Sequence, residues 1–184
     1  QVRKAVKRNL DAMLMSGMYD QVGGGFHRYS TDAKWLVPHF EKMLYDNGQL
    51  LSTYATAYEL TEDETYANVI RETVEYVDRE LNSKEGGFLS AQDAETNHLE
   101  GESYLWREHE VRKALTEAGL EEDIVFTLAV YGIDQGPNFQ DPHHPEVPKT
   151  GVLYLIDHPK ELAKLHGMSR EAFEQKIQTI NKIH

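Results

Sequence analysis

The chain has 184 residues, of which 40% are hydrophobic, enough for one domain with a buried core. Its formal net charge of −12 argues against nucleic-acid binding, because phosphate recognition needs clustered Lys and Arg. Cysteine is absent, which excludes disulfides, zinc–cysteine sites and thiol catalysis and favours a cytoplasmic location, and no apolar run reaches the ~18 residues of a membrane span.

Apolar spacing predicts a mainly α chain of helical pairs. The first helix runs from residue 2 to a stop at Gly17, and the second covers residues 39–60. Thr61 and Glu64 have the spacing of a capping box that opens a third helix, ending near Leu81. Four shorter helices are predicted at residues 108–118, 122–131, 159–165 and 169–183. Because helical patterns run to both ends, we expect residues 1–184 to be a single fragment of a longer protein.

Long and short links alternate between these helices. If neighbouring helices are antiparallel, every long link falls at the same end of the bundle. Gly24-Gly25-Phe26 opens one long link and Gly86-Gly87-Phe88 opens the next. Alternating polar and apolar residues follow both, which predicts short strands or bulged ribbons at residues 24–30 and 87–92.

The residues best suited to chemistry are concentrated between Asp20 and Asn47. His39 and Asp46 are seven residues apart, so they share one line of the predicted second helix, with Lys42 one turn before Asp46. Asp46 and Asn47 interrupt an apolar stripe, which is costly unless they are paired or bind something. Purely structural roles stay open: His39 as a helix cap, Lys42 and Asp46 as an ion pair, and Asn47 as a side chain that fixes a loop.

The second long link adds further candidates. Asp93 and Glu100 are carboxylates suited to proton transfer or to sugar hydroxyls, and Trp106 can stack on an apolar ring face. A metal site is not expected, because His39 and Glu41 would lie on different faces of a helix.

Residues 20–30 read Asp-Gln-Val-Gly-Gly-Gly-Phe-His-Arg-Tyr-Ser, and residues 35–47 read Trp-Leu-Val-Pro-His-Phe-Glu-Lys-Met-Leu-Tyr-Asp-Asn. This block strongly resembles the YyaL-like family of thioredoxin-domain proteins, which includes the spermatogenesis-associated thioredoxin-like proteins. The similarity continues through residues 87–106, 136–139 and 151–153. The family's Asp-Ala-Asp appears here as Asp93-Ala94-Glu95, and its Gly-Asn as Gly136-Pro137-Asn138.

The resemblance implies the first part of an (α/α)6 toroid of the six-hairpin glycosidase type, with short β-ribbons in the long loops. It also implies a thioredoxin-like domain and the remainder of the toroid, neither of which lies within residues 1–184. We therefore expect these missing parts as partners, and self-association through the open edge of the incomplete ring.

Two functions follow as hypotheses. The first is a carbohydrate-active enzyme, acting by epimerisation, with His27 and His39 as acid and base, or by hydrolysis, with Asp20, Asp46 and Asp93 as the carboxylates. The alternative is a non-catalytic module that binds a ligand or client for the thioredoxin-like domain. Either would take a small-molecule ligand, such as a sugar, without cofactor or metal. The candidate site comprises the catalytic candidates Asp20, His27, His39, Glu41, Asp46 and Asp93, and the binding candidates Arg28, Trp35, Lys42, Tyr45 and Trp106.

Overall fold

Seven α-helices lie within residues 2–182, the part of the chain that this computed structural model describes. They are α1 (Val2–Met15), α2 (Leu44–Thr61), α3 (Glu64–Glu80), α4 (Glu108–Glu117), α5 (Ile124–Val130), α6 (Pro159–Leu165) and α7 (Arg170–Asn181). The expected continuation of the first and last helices onto Gln1 and Ile183 lies outside the described residues.

The strands are short and pair only as antiparallel two-stranded ribbons. They are β1 (Tyr29–Ser30), β2 (Pro38–His39), β3 (Lys42–Met43), β4 (Ala91–Gln92), β5 (Glu95–Thr96), β6 (Leu99–Glu100), β7 (Leu105–Trp106) and β8 (Gly151–Val152). The pairs are β1 with β2, β3 with β4, β5 with β6 and β7 with β8. The mainly α class with short β-ribbons, expected of part of an (α/α)6 toroid, is confirmed.

The second helix begins later than its apolar spacing predicts. It starts at Leu44 rather than at His39, because β2 and β3 hold the preceding residues in ribbons with β1 and β4. His39 is therefore a strand residue and does not cap the helix. The prediction that Lys42 lies one helical turn before Asp46 is wrong for the same reason.

The third helix is capped by a different residue from the one predicted. Thr61 is the last residue of α2, and Glu62 ends that helix in the left-handed region with φ of 54°. The side chain of Asp63 then accepts a hydrogen bond from the backbone N–H of Thr65 at 3.2 Å, so Asp63 is the N-cap of α3. The predicted capping box of Thr61 and Glu64 is wrong.

The described chain forms two compact units, the first ending at Glu102 and the second beginning at Ser103. In the first unit, α1, α2 and α3 enclose an apolar core. Its buried members are Leu10, Leu14, Tyr19, Phe26, Tyr54, Tyr66 and Val69. The aromatic rings meet at its centre, where the ring centroids of Phe26 and Tyr54 are 5.4 Å apart.

Both long loops of the first unit meet at the start of α2, as the alternation of link lengths predicts. The backbone N–H of Leu44 donates to the carbonyl of Ser90 in the second loop, at 2.9 Å. Three residues further, the side chain of Asn47 binds the backbone of Phe26 in the first loop. The N-terminal end of α2 therefore positions residues of both long loops.

The second unit contains α4 to α7 and the β7–β8 ribbon. Phe126 of α5 packs against Phe173 of α7, with ring centroids 5.8 Å apart. The hydroxyl of Tyr131 donates to Asn181 at 2.7 Å. Among residues 2–182, no helix combines the length and apolar character needed to cross a membrane.

Candidate functional site

A buried ion pair lies beneath the first long loop. Lys42 is only 1% exposed, and its ammonium donates to the carboxylate of Asp20 at 2.7 Å and to the carbonyl of Gly24 at 2.9 Å. The ammonium also lies over the ring of Tyr76, 4.3 Å from its centroid. The carboxylate of Asp20 in turn accepts hydrogen bonds from the backbone of the loop that follows it, at Val22 and Gly23.

This pair is an ionised structural unit. Burial on its own would raise the pKa of Asp20, but the charge and hydrogen bond of Lys42 bring that pKa below its ordinary value. Lys42 therefore pairs with Asp20, and the hypothesis of an ion pair between Lys42 and Asp46 is wrong. The reason is again the ribbon: Lys42 lies in β3, before the helix begins.

His27 lies beside this pair and is 2% exposed. Its ring is 3.0 Å from the carbonyl of Phe40, which can only accept, so Nδ1 carries the hydrogen. Burial and the charge of Lys42 lower the pKa of His27 to about 3, so this imidazole is neutral at physiological pH. His27 therefore belongs to the buried part of the site.

Asn47 has the structural role that the sequence left open. It is fully buried, and its side-chain oxygen accepts from the N–H of Phe26 at 2.7 Å. Its amide group donates to the carbonyls of Phe26 and Met43 at 3.1 and 2.9 Å. These bonds fix the first loop to the start of α2.

A second, accessible group of polar side chains lies at the surface of the same unit; we call Arg28, His39, Glu41, Asp46 and Glu100 the rim cluster. The guanidinium of Arg28, 42% exposed, donates to Glu41 at 2.8 Å. His39 lies between two carboxylates: its Nδ1 is 2.9 Å from Glu100 and its Nε2 is 3.9 Å from Glu41. The β1–β2 ribbon and the β6 strand bring these residues together from three segments of sequence.

The contact with Glu100 sets the chemistry of His39. An ionised carboxylate only accepts hydrogen bonds, so Nδ1 of His39 carries the hydrogen and Nε2 of the neutral ring carries a lone pair. Both side chains are 30% exposed. The arrangement is that of a histidine base whose ring is oriented by a carboxylate.

Asp46 has an unsatisfied oxygen. Its Oδ2 atom is buried, and none of residues 2–182 offers it a hydrogen-bond partner. Burial raises the pKa of Asp46, the positive charge of Arg28 opposes the rise, and the carboxylate of Glu41 adds to it. A carboxyl group in this state is suited to donate a proton.

The remaining predicted residues lie in different surroundings. Tyr45 is exposed at the start of α2. Trp35 has a φ of 61° and lies in a turn built around Asp32. Asp93 is exposed and accepts from the N–H of Glu95 at 3.1 Å. Trp106 belongs to the second unit.

The structure adds one residue that sequence spacing did not select, and it pairs two candidates that the sequence did not predict to meet. Tyr76, which supplies the ring over Lys42, is buried on α3. The orientation of His39 by Glu100 joins residues 61 positions apart, and only the expectation that both long loops share one end of the bundle pointed to it. Within the described residues, no group of three or more acidic or histidine side chains is arranged to hold a metal ion.

No family model matches the chain. Individual relatives do: the chain is 38% identical over 185 residues to mouse spermatogenesis-associated protein 20 and 42% identical over 147 residues to the human protein of that name. It is 31% identical over 192 residues to an uncharacterised protein of Caenorhabditis elegans. These alignments cover 92%, 72% and 97% of the chain but only 23%, 19% and 26% of the relatives, so the chain spans about a quarter of their length.

The alignments that cover 92% and 97% of the chain agree with the resemblance seen in the sequence. The chain belongs to the spermatogenesis-associated protein 20 family.

Proposed function

We propose that the rim cluster transfers protons in a carbohydrate-active site, with epimerase or isomerase chemistry on a sugar. The observation that carries the proposal is the buried, unpartnered oxygen of Asp46. The charge of Glu41 acts on this carboxyl, and the same Glu41 lies 3.9 Å from Nε2 of His39, a histidine oriented by Glu100. An unsatisfied carboxyl oxygen costs free energy, and a polar ligand that supplies a hydrogen bond offsets that cost.

In this proposal His39 and Asp46 form a base–acid pair. Nε2 of His39 takes the proton from the carbon beside the sugar carbonyl, and the carboxyl of Asp46 supplies the proton that the resulting enediolate needs. Burial raises the pKa of Asp46, which is the direction that favours the protonated carboxyl an acid needs. The step leaves His39 protonated and Asp46 ionised; release of one proton from His39 to solvent and uptake of one by Asp46 restore both groups, and no oxidant or reductant is needed.

The neighbouring side chains are suited to hold the substrate. Arg28 and Glu41 present a donor and an acceptor side by side, the combination that sugar hydroxyls recognise. Tyr29 is half exposed, and its ring centroid lies 5.0 Å from that of His39. Tyr45, also half exposed, offers a second aromatic face.

Proton transfer fits these contacts better than hydrolysis. Hydrolysis needs two carboxylates that flank one bond. Asp20 is occupied by Lys42, and Asp93 accepts from the backbone of its own turn. Asp46 therefore shares the rim cluster with a partly exposed histidine, and not with a second uncommitted aspartate.

The buried pair and His27 have a positioning role. Lys42 and Asp20 fix the loop that leads through His27 to Arg28, and the N–H of Arg28 donates to the carbonyl of Glu41 at 2.9 Å. The buried Lys42–Asp20 pair and His27 thus hold the backbone from which the side chains of the rim cluster project. In this proposal the rim cluster binds and converts the substrate, and the buried pair with His27 keeps the rim side chains in place.

Exchange of hydrogen at the carbon beside the carbonyl tests the proposal without knowledge of the product. The full-length protein is incubated in D2O with a panel of aldoses and N-acetylated hexosamines, and deuterium incorporation is followed by proton NMR. We expect enzyme-dependent exchange with at least one sugar, and a loss of about 100-fold or more in His39→Gln, since general-base catalysis contributes ~10²–10⁴-fold.

His98→Asn is the matched control, because His98 is an exposed histidine of the adjacent hairpin with a positive φ that Asn tolerates. Its exchange rate should equal that of the wild type. If sugars raise the melting temperature of the protein and no exchange occurs, the non-catalytic binding module replaces the enzyme. If neither binding nor exchange is seen with any sugar, the proposal is overturned.

A further inference from the structure

A separate cavity lies within the second unit. Its volume is about 160 Å³; it is open to solvent on one side and is lined by the β7–β8 ribbon, the start of α4 and the turn at residues 132–138. None of its lining residues belongs to the rim cluster or to the buried pair.

One wall of this cavity is fixed by a complete set of hydrogen bonds. The side chain of Asn138 donates to the carbonyl of Val152 at 3.0 Å and accepts from its N–H at 2.8 Å. The backbones of Phe139 and Thr150 exchange hydrogen bonds at 3.0 Å in both directions. The wall is therefore formed in the absence of a ligand, which lowers the entropic cost of binding.

The charges around the cavity are balanced with one exception. Arg107 pairs with Glu110 at 3.0 Å, and Glu108 pairs with Arg112 at 2.7 Å. Lys149, an exposed residue of the lining, has no carboxylate within ion-pair distance among residues 2–182. The cavity thus carries one uncompensated positive charge.

The remaining wall is aromatic. Trp106 lines the cavity from β7, where it is paired with Gly151 of β8. A Cβ atom at Gly151 would lie 3.2 Å from the carbonyl of Trp106, so a larger residue there would crowd the ribbon. Indole faces stack on flat apolar surfaces, including the C–H face of a sugar ring.

We propose that this cavity binds a small monocyclic carboxylate, with the ring against Trp106 and the carboxylate at Lys149. A cavity of ~150 Å³ accommodates one benzene ring, so the volume fits a single six-membered ring. The chemistry is shared by aromatic acids and by sugar acids, and the experiment distinguishes the two sources.

Benzoate and glucuronate are titrated into the full-length protein by isothermal calorimetry, with benzyl alcohol and glucose as their neutral counterparts. At least one acid should bind, and its neutral counterpart should bind more weakly by about tenfold or more, because it lacks the charge-assisted hydrogen bond to Lys149. Preference for benzoate identifies an aromatic acid as the ligand, and preference for glucuronate identifies a sugar acid.

Lys149→Gln and Trp106→Phe should each weaken that binding, while Lys160→Gln, which removes an exposed lysine of α6 outside the cavity, should not. Lys149 is exposed, so its substitution leaves the fold intact, and circular dichroism of Trp106→Phe checks the ribbon. Binding of neither acid, equal binding of acid and neutral counterpart, or binding that survives Lys149→Gln would overturn the inference. Deuterium incorporation into sugars, which tests the rim cluster, is measured separately, so failure of this inference leaves the proposed function intact.

Discussion

The ammonium of Lys42 and the carboxylate of Asp20 lie 2.7 Å apart although the two residues are separated by 22 positions in the sequence. The pair is enclosed by the ring of Tyr76 and the carbonyl of Gly24. Since it connects the first long loop to the strand before α2, it is the main structural support of the residues that we assign to the site.

Removal of Lys42 should therefore destabilise the fold. Lys42→Met leaves the carboxylate of Asp20 buried without its cation, which we expect to cost about 3–5 kcal/mol in the free energy of unfolding. The double variant Lys42→Met, Asp20→Asn should recover part of that loss, because no buried charge remains. Chemical unfolding measures both values, and Lys34→Met, at an exposed lysine, is the control. Equal stability of Lys42→Met and wild type would contradict the assigned role.

Substitution of Gly25 tests how closely the first long loop approaches α3. Its φ is +79°, and a Cβ atom there would lie 2.5 Å from the ring of Tyr76. Gly119 has a similar φ of +72° with nothing within 4 Å of its Cβ position. Gly119→Ala should cost only the ~1–2 kcal/mol of a left-handed backbone, and Gly25→Ala should cost clearly more in thermal unfolding. Equal losses would mean that the loop moves freely away from Tyr76.

The buried imidazole of His27 should make the protein sensitive to acid. Its pKa is lowered to about 3 by burial and by Lys42, whereas the unfolded chain titrates near 6.5. Between these values the unfolded state binds more protons, so this contribution to stability is complete above pH 6.5 and is lost as the pH falls towards 3.

His27→Asn removes this titration. The variant should be less stable than wild type at pH 7, because it loses buried contacts, but its melting temperature should fall less steeply between pH 6.5 and pH 4. The exposed His98→Asn serves as the reference, with a wild-type slope. A slope in His27→Asn as steep as in wild type would show that other groups cause the acid sensitivity.

The helices were predictable because their signals are local. Pro159–Leu165 matches its prediction at both ends, since Pro159 at the first turn and Gly167 after the last turn mark the limits within the sequence itself. The start of α2 was not predictable in this way. Lys42 and Met43 fit a helical pattern, but ribbon pairing with Gln92 and Ala91, about 50 residues away, decides their conformation.

In the candidate site, too, features with a local signal were predictable and long-range pairings were not. Asp46 and Asn47 both interrupt an apolar stripe; Asn47 has the partners that this position predicts, whereas one buried oxygen of Asp46 has none among the described residues. The sequence did not assign the partners: Asn47 binds the backbone of Phe26, and Lys42 binds Asp20 in place of Asp46. Such pairings depend on how two loops meet, and single-sequence spacing contains little information on that.

The central claim is that Asp46 acts in proton transfer at the rim cluster. The most direct test uses one variant of the full-length protein, Asp46→Asn, and measures both deuterium incorporation into the sugar and the melting temperature. Burial raises the pKa of Asp46, so its ionised form is disfavoured in the folded state, and a neutral amide at this position should leave the melting temperature at pH 7 unchanged or slightly higher. We predict that exchange in D2O falls by about 100-fold or more with that stability retained. A stability loss of ~1–3 kcal/mol with normal exchange per folded molecule would contradict the account and assign Asp46 to a purely structural network.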